Sequence, residues 1–365
     1  MLENDNTQST DKTGASKIAL RGTGVIVILF FLLMVGAILA IGTGALQLPP
    51  LKVIAILLEP LGVTLKHMGT EQEAAVLWGI RLPRVVLAVL VGGTLAVSGA
   101  MMQGLFRNPL AEPGLVGVSA GASLAAATFM VLGAPLTKHL SDDFALYGLP
   151  IAAFTGAIGC AVIIHRASMV SGRTSVSTML LAGIAFNALG FAGLGILQYL
   201  ADDNQLRSLT FWMMGSLGGA TWDSLTVIGP LLLLPILLAP FLARGLNVLQ
   251  LGEAEANYLG LDVENLKRLS IGLVALGVGA AVSISGMIGF IGLVVPHLIR
   301  LGSTPDHRVL LPASALLGAL LLVGADLLSR TVVIPAEMPV GIVTTLVGAP
   351  FFLGLLLAGR RSLRL

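Results

Sequence analysis

Long apolar runs alternate with short charged segments along the whole chain. Runs free of Asp, Glu, Lys and Arg cover 22–51, 85–106, 113–137, 144–165, 174–201, 224–243, 269–299, 309–325 and 338–359. A helix needs about 20 apolar residues to cross the hydrocarbon core of a bilayer. Eight of these runs therefore predict one crossing each, with 309–325 the tightest fit. The run 269–299 is long enough for two short crossings and carries a break at Ser283-Ile284-Ser285-Gly286.

The basic residues arbitrate between nine crossings and ten. Cytoplasmic connections are enriched in Lys and Arg. With ten crossings and the N-terminus inside, 14 of the 21 basic residues fall on the inner side and the remaining 7 outside. With nine, the split is 10 to 11 and the bias vanishes. The expected fold is therefore an all-α polytopic membrane protein of ten transmembrane helices with both termini cytoplasmic. Residues 1–21 read as a polar cytoplasmic tail, and 22–365 as one transmembrane domain. The first apolar run exceeds a signal-peptide core and lacks a small-residue cleavage site, so it stays a helix.

Composition sharpens this reading. Hydrophobic residues make up 56% of the 365 and charged residues only 11%, against about 25% charged in soluble domains. So little charge cannot cover a soluble core of this size, which excludes a water-soluble enzyme. The net charge of +2 and the lack of a basic run argue against nucleic acid as a partner. Cys160 is the sole cysteine, so neither an intrachain disulfide nor a cysteine-rich metal site is expected. Gly is abundant, at 45 residues. Small-residue spacings such as Gly117…Gly121 and Gly272…Gly277…Gly279 predict closely packed helices, although Gly is common in membrane helices generally.

The candidate chemistry is sparse. Ion-coupled carriers keep carboxylates inside the bundle; Asp326 is the one candidate here, and His165 and His297 lie near predicted cytoplasmic ends. No G-x-x-x-x-G-K-[ST] loop and no H-E-x-x-H motif occurs. Uphill transport would therefore draw its energy from a partner. The segment 245–267 predicts a short helix containing Glu253, Ala254 and Glu255, ended by Gly260. A second short helix would start at Asp262, its N-cap. Together they read as a projection that meets a partner, or as an ordinary solvated connector.

Several blocks carry a resemblance. Arg81-Leu-Pro-Arg84, Ser98-Gly-Ala-Met-Met-Gln103 and Arg107-Asn-Pro-Leu-Ala-Glu-Pro-Gly-Leu-Val-Gly-Val-Ser-Ala-Gly121 come first. They are followed by Leu251-Gly-Glu-Ala-Glu-Ala with Leu259-Gly260, then Gly286-Met-Ile-Gly-Phe-Ile-Gly-Leu-Val-Val-Pro-His297. The last is Glu337-Met-Pro-Val-Gly-Ile-Val-Thr-Thr-Leu-Val-Gly-Ala-Pro-Phe351. In order and content these resemble the permease family of type II ABC importers, which take up iron-siderophores, haem and cobalamin. The resemblance implies a ten-helix subunit working as a homodimer in the bacterial inner membrane. Two ATP-binding cassette subunits, which hold ATP-Mg, would sit below, and a periplasmic substrate-binding protein would dock above. This chain would then be a transport subunit with no catalytic residue, metal or cofactor of its own, and haem or another iron chelate would be cargo.

Residue by residue, the resemblance implies that Arg81, Arg84 and Arg330 pair with carboxylates of the binding protein. Arg suits that task through its forked donors, while snorkelling at the membrane interface is the plainer alternative. Gly252, Glu253, Ala254, Leu259 and Gly260 match the family's coupling helices, which seat on the ATPase. Arg107 and Asn108 either brace that region or simply end a helix and make a turn. Gating in relatives involves the fifth helix and the short helix after it, near 178–200 and 204–218. Asn187, Gln198, Tyr199, Phe211, Trp212, Met213 and Met214 are thus pathway candidates, with core packing as the alternative for each. The stretch Leu206 to Trp222 is most similar to haem permeases. Siderophore cargo stands second, cobalamin third, and an ion-coupled carrier is a distant rival.

Overall fold

The computed structural model describes residues 7–44, 46–62, 69–133, 142–333 and 335–362. The described residues are mostly helical, joined by turns and one hairpin of two-residue strands. The main helices are α1 (Thr7–Gly42), α2 (Pro50–Leu58), α3 (Glu71–Val76), α4 (Leu82–Leu105), α5 (Val118–Leu132), α6 (Asp142–Ala167) and α7 (Val176–Leu200). They continue as α8 (Asp203–Met213), α9 (Trp222–Leu249), α10 (Glu253–Tyr258), α11 (Val263–Ser285), α12 (Ile291–Gly302), α13 (His307–Thr331) and α14 (Val340–Ser362). Strands β1 (Met169–Val170) and β2 (Arg173–Thr174) pair antiparallel between α6 and α7.

Among the described residues, 7 helices are long and apolar enough to cross a membrane, and three shorter apolar helices accompany them: α5, α12 and the first part of α14. The run 269–299 is divided as its break suggests: α11 stops at Ser285 and α12 starts at Ile291. Helical backbone begins at Thr7, inside the segment expected to be a polar tail. No proline interrupts residues 7–21, so the span's helix propagates back through them; residues 1–6 lie outside the described residues.

Several helices run past the charges that bounded their apolar runs, α4 and α13 among them. α3 continues into α4 through one π turn, Leu77–Arg81, giving an unbroken helical segment from Glu71 to Leu105. Pro83 lacks an N–H, and the π turn just before it absorbs the interrupted hydrogen-bond ladder. Arg81 and Arg84 are therefore helical and inside the bundle. Likewise α13 runs through Asp326 and Arg330 to Thr331.

α4 is the hub of the bundle and packs on α9, α11, α12 and α13. Glycine lets these backbones meet. A Cβ on Gly99 of α4 would lie 1.8 Å from the Gly292 carbonyl oxygen of α12. Gly121 of α5 also meets Gly156 of α6, its Cβ position being 2.3 Å from the Gly156 oxygen. Small-residue contact of this kind replaces the hydrophobic drive that is missing between helices in lipid. The remaining large apolar side chains face outward, including Phe31, Leu181, Ile196, Phe241 and Leu346.

Candidate docking faces and pathway segment

The antiparallel helices gather polar groups at two opposite ends. One end holds the C-terminus of α1, the π turn, the C-terminus of α13 and the segment before α14. Here Arg81, 6% exposed, donates to Ile41 O at 2.8 Å, to Gly42 O at 3.1 Å and to Leu46 O. It therefore closes the C-terminus of α1, whose last carbonyls have no partner within the helix. Arg84 is bidentate: Nε and NH2 both reach Asp326 Oδ1 at 2.9 Å, and NH1 and NH2 reach Glu337 at 3.1 and 2.9 Å. Arg330 pairs with Asp326 Oδ2 at 3.1 Å and donates to Thr43 O and Ala40 O at 3.2 Å.

All three arginines expected on a free outer rim thus have partners within the chain. α4 is buried nearly all round, so Arg84 sits among enclosed neighbours such as Ala88, Val91 and Leu95. Asp326, the sequence's one candidate for ion coupling, is a fixed counter-charge between two guanidinium groups. Of the two carboxylates on Arg84, Asp326 is enclosed and Glu337 has 50% of its side chain exposed.

The other end holds α10, the β hairpin and the N-terminus of α11. Gly252 takes φ 126° as the N-cap of α10, and Gly260 takes φ 83° just beyond it. Residues 245–249 extend α9 and do not belong to the projection. Asp262 does cap a helix, its carboxylate accepting from Asn265 N at 3.0 Å. That helix is the long α11, so the projection contains one short helix where two were expected. On it Ala254 is exposed, as are Tyr258 at 91% and Leu259 at 66%. Glu253, partly exposed, pairs with Lys267 Nζ at 2.7 Å.

Arg107 and Asn108 are exposed in the turn after α4. Arg107 takes a left-handed φ of 50°, and Asn108 Oδ1 accepts from Leu110 N at 2.9 Å, an Asx turn. The Gln250 side chain donates to Gly104 O at 2.9 Å, tying α9 to the end of α4. Glu112, to which the sequence reading gave no role, lines a small cavity with Ser119, Met287 and Phe290.

The pathway candidates lie on α7 and α8 and in the turn that follows. Asn187 donates to Gly114 O at 3.0 Å, bridging α7 to the turn before α5. Gln198 points its amide at Met213 Sδ, 3.9 Å away. Met213 and Trp212 pack inward, whereas Tyr199 and Phe211 are exposed. The turn after α8 is held by its backbone. Ser216 N donates to Ser285 O at 2.8 Å, Val340 N to Gly215 O at 3.0 Å and Gly341 N to Met214 O at 3.1 Å. Met214 is thus clamped between the α11–α12 junction and the start of α14. The candidates divide into an anchored set and an exposed pair.

Known proteins resemble this arrangement over most of its length. The FecCD transport family matches residues 32–358. The hemin transport system permease protein HmuU of Yersinia pestis is 51% identical over 300 residues, 82% of this chain and 88% of that protein. The cobalamin import system permease protein BtuC of Halobacterium salinarum is 42% identical over 80% of this chain and 76% of its own. The iron(3+)-hydroxamate import system permease protein FhuG of Bacillus subtilis is 35% identical over 91% and 96%. A solved structure of a metal-chelate-type ABC transporter in an inward-facing conformation superposes with a TM-score of 0.78 at 31% identity. It covers 92% of this chain and 99% of its own. With its apolar spans, glycine-packed core and polar ends, this chain belongs to the FecCD transport family of type II ABC importer permeases.

Proposed function

We propose that two copies of this chain form the translocation pathway of an ATP-driven haem importer in a bacterial inner membrane. The observation that carries the cargo is the 51% identity to a haemin permease, against 42% for a cobalamin permease and 35% for a hydroxamate permease. Each copy crosses ten times, with both termini cytoplasmic. The end bearing Arg84 and Glu337 faces the binding protein. The end bearing α10 seats on the ATPase, with Gly252 and Gly260 shaping the projection and Ala254, Tyr258 and Leu259 forming its contact surface. ATP-Mg is bound and hydrolysed on that separate subunit.

The pathway runs beside α7 and α8. Tyr199 and Phe211 offer apolar surface to a flat ring, while Met213 and Met214 stay anchored. A path of weak contacts suits transport, because tight binding would oppose release. Ferric-siderophore uptake is the second reading, favoured by the fuller coverage of the hydroxamate relative.

The test is uptake into sealed vesicles containing the permease with its ATPase and binding protein. ATP is supplied on the ATPase side, and haem, a ferric hydroxamate and cobalamin are offered separately. ATP-dependent accumulation of haem alone is the expected result. Accumulation of the hydroxamate alone would keep the architecture and discard the cargo.

A further inference from the structure

The ion pair on α10 reaches further than the projection itself. Lys267 lies on the first turns of α11, in phase with Val263 and Ile271, and is 2% exposed. Its ammonium makes two contacts, each leading to a different element. One goes to Glu253 Oε2 on α10 at 2.7 Å and the other to Thr174 O at 2.8 Å. Thr174 ends the β hairpin, and the next residue, Ser175, is the N-cap of α7, its hydroxyl accepting from Thr178 N.

A second set of bonds locks the same spot. Glu264, one turn back on α11, accepts from Thr174 N at 2.9 Å and from Thr174 Oγ1 at 2.7 Å. Arg268 donates to it from the next turn at 3.0 Å. Both polar groups of the Thr174 backbone are therefore held by α11 side chains. The N-terminus of α7 and the start of α10 are more than 70 residues apart in sequence.

We propose that Lys267 is the positioning residue that ties the ATPase-facing helix α10 to the N-terminus of the pathway helix α7. A displacement of α10 then moves the start of α7 directly, as well as its covalent neighbours α9 and α11. The chemistry suits the task. A flexible ammonium with three donors accepts two oxygens from different elements and keeps both through a small rotation. A buried charge left with an empty partner position is strongly disfavoured, so Lys267 resists the loss of either contact. Glu253, with part of its side chain exposed, lies where the ATPase surface would reach it.

This inference rests on the importer reading, and its test separates the two. The complex of permease, ATPase and binding protein is reconstituted with haem as cargo, carrying Lys267→Met, Lys267→Arg or Glu253→Gln. Haem accumulation and ATP hydrolysis are measured together. In parallel, spin labels at Glu255 and Ser177, both exposed, report the α10–α7 distance in a Cys160→Ser background. Lys267→Met is expected to raise the ATP spent per haem roughly fivefold or more and to broaden the distance distribution, while Lys267→Arg stays within about twofold of wild type. Glu253→Gln, which keeps the bond to Thr174, should fall between them. It carries the test if Lys267→Met does not assemble.

An unchanged ratio and an unchanged distance distribution in Lys267→Met, or in Glu253→Gln where only that variant assembles, would overturn the proposal. If wild type moves no haem, the importer reading fails on its own. The distance measurement still decides the junction, because it needs no cargo.

Discussion

At the scale of single residues, the end holding Arg84 is decided by one carboxylate. Asp326 serves both Arg84 and Arg330, and its side chain is 2% exposed. Asp326→Asn leaves two enclosed guanidinium groups short of counter-charge, a loss of about 3–5 kcal/mol for a buried pair. Glu337→Gln removes a half-exposed partner and should cost about 1 kcal/mol or less. Thermal unfolding of the purified permease in nanodiscs checks this order. A wild-type unfolding temperature for Asp326→Asn would show that the network contributes nothing. This network was only partly legible in the sequence. Charge counting brings Arg81, Arg84 and Arg330 to one side of the membrane. It does not say that Asp326 lies opposite Arg84, because that pairing joins α4 to α13 across more than two hundred residues.

At the scale of helices, glycine content alone does not locate contacts, and two positions show why. Gly99 and Gly272 look alike in the sequence, each in an apolar helix. Gly99 lies against the Gly292 carbonyl, whereas a Cβ on Gly272 would meet nothing within 4 Å. Gly99→Ala must push α12 away from α4, an overpacking cost of about 1–3 kcal/mol. Gly272→Ala fills open space on an exposed face and gains helix propensity, up to about 1 kcal/mol. Unfolding measurements on the two variants should therefore move in opposite directions. A drop for both would mean that Gly272 faces a neighbouring helix, such as one from a second copy. Apolar runs and the break at Ser283–Gly286 gave the helices and their division. They missed the extension of α4 up to Glu71, because the reading treated every charge as a boundary. A charge marks a helix end only when water has to solvate it, and Arg81 and Arg84 are solvated by carbonyls and carboxylates of the chain itself.

For the whole molecule, the two polar ends differ in what a partner can exchange. On the α10 side the buried group is a lysine whose exposed partner is Glu253. On the opposite side the buried group is Arg84, and its exposed partner is Glu337. A carboxylate arriving from a docked protein cannot displace Asp326, which is enclosed and shared with Arg330, but it can take the place of Glu337. On the docking role proposed for this end, the in-chain carboxylate would compete with the binding protein's carboxylate for Arg84. Glu337→Gln should strengthen binding-protein affinity several-fold at low salt, with the gain fading as ionic strength rises. Arg84 keeps Asp326 in this variant, so the effect is not a loss of fold, and the nanodisc unfolding temperature provides the control. Surface-immobilised binding protein titrated with wild-type and Glu337→Gln permease at two salt concentrations measures it. Weaker or unaltered affinity at low salt would mean that Arg84 serves the fold alone and that docking uses other groups at this end. A charge reversal at Arg84 cannot separate these cases. It removes the docking donor and the partner of Asp326 at once, whereas neutralising Glu337 changes only the competitor.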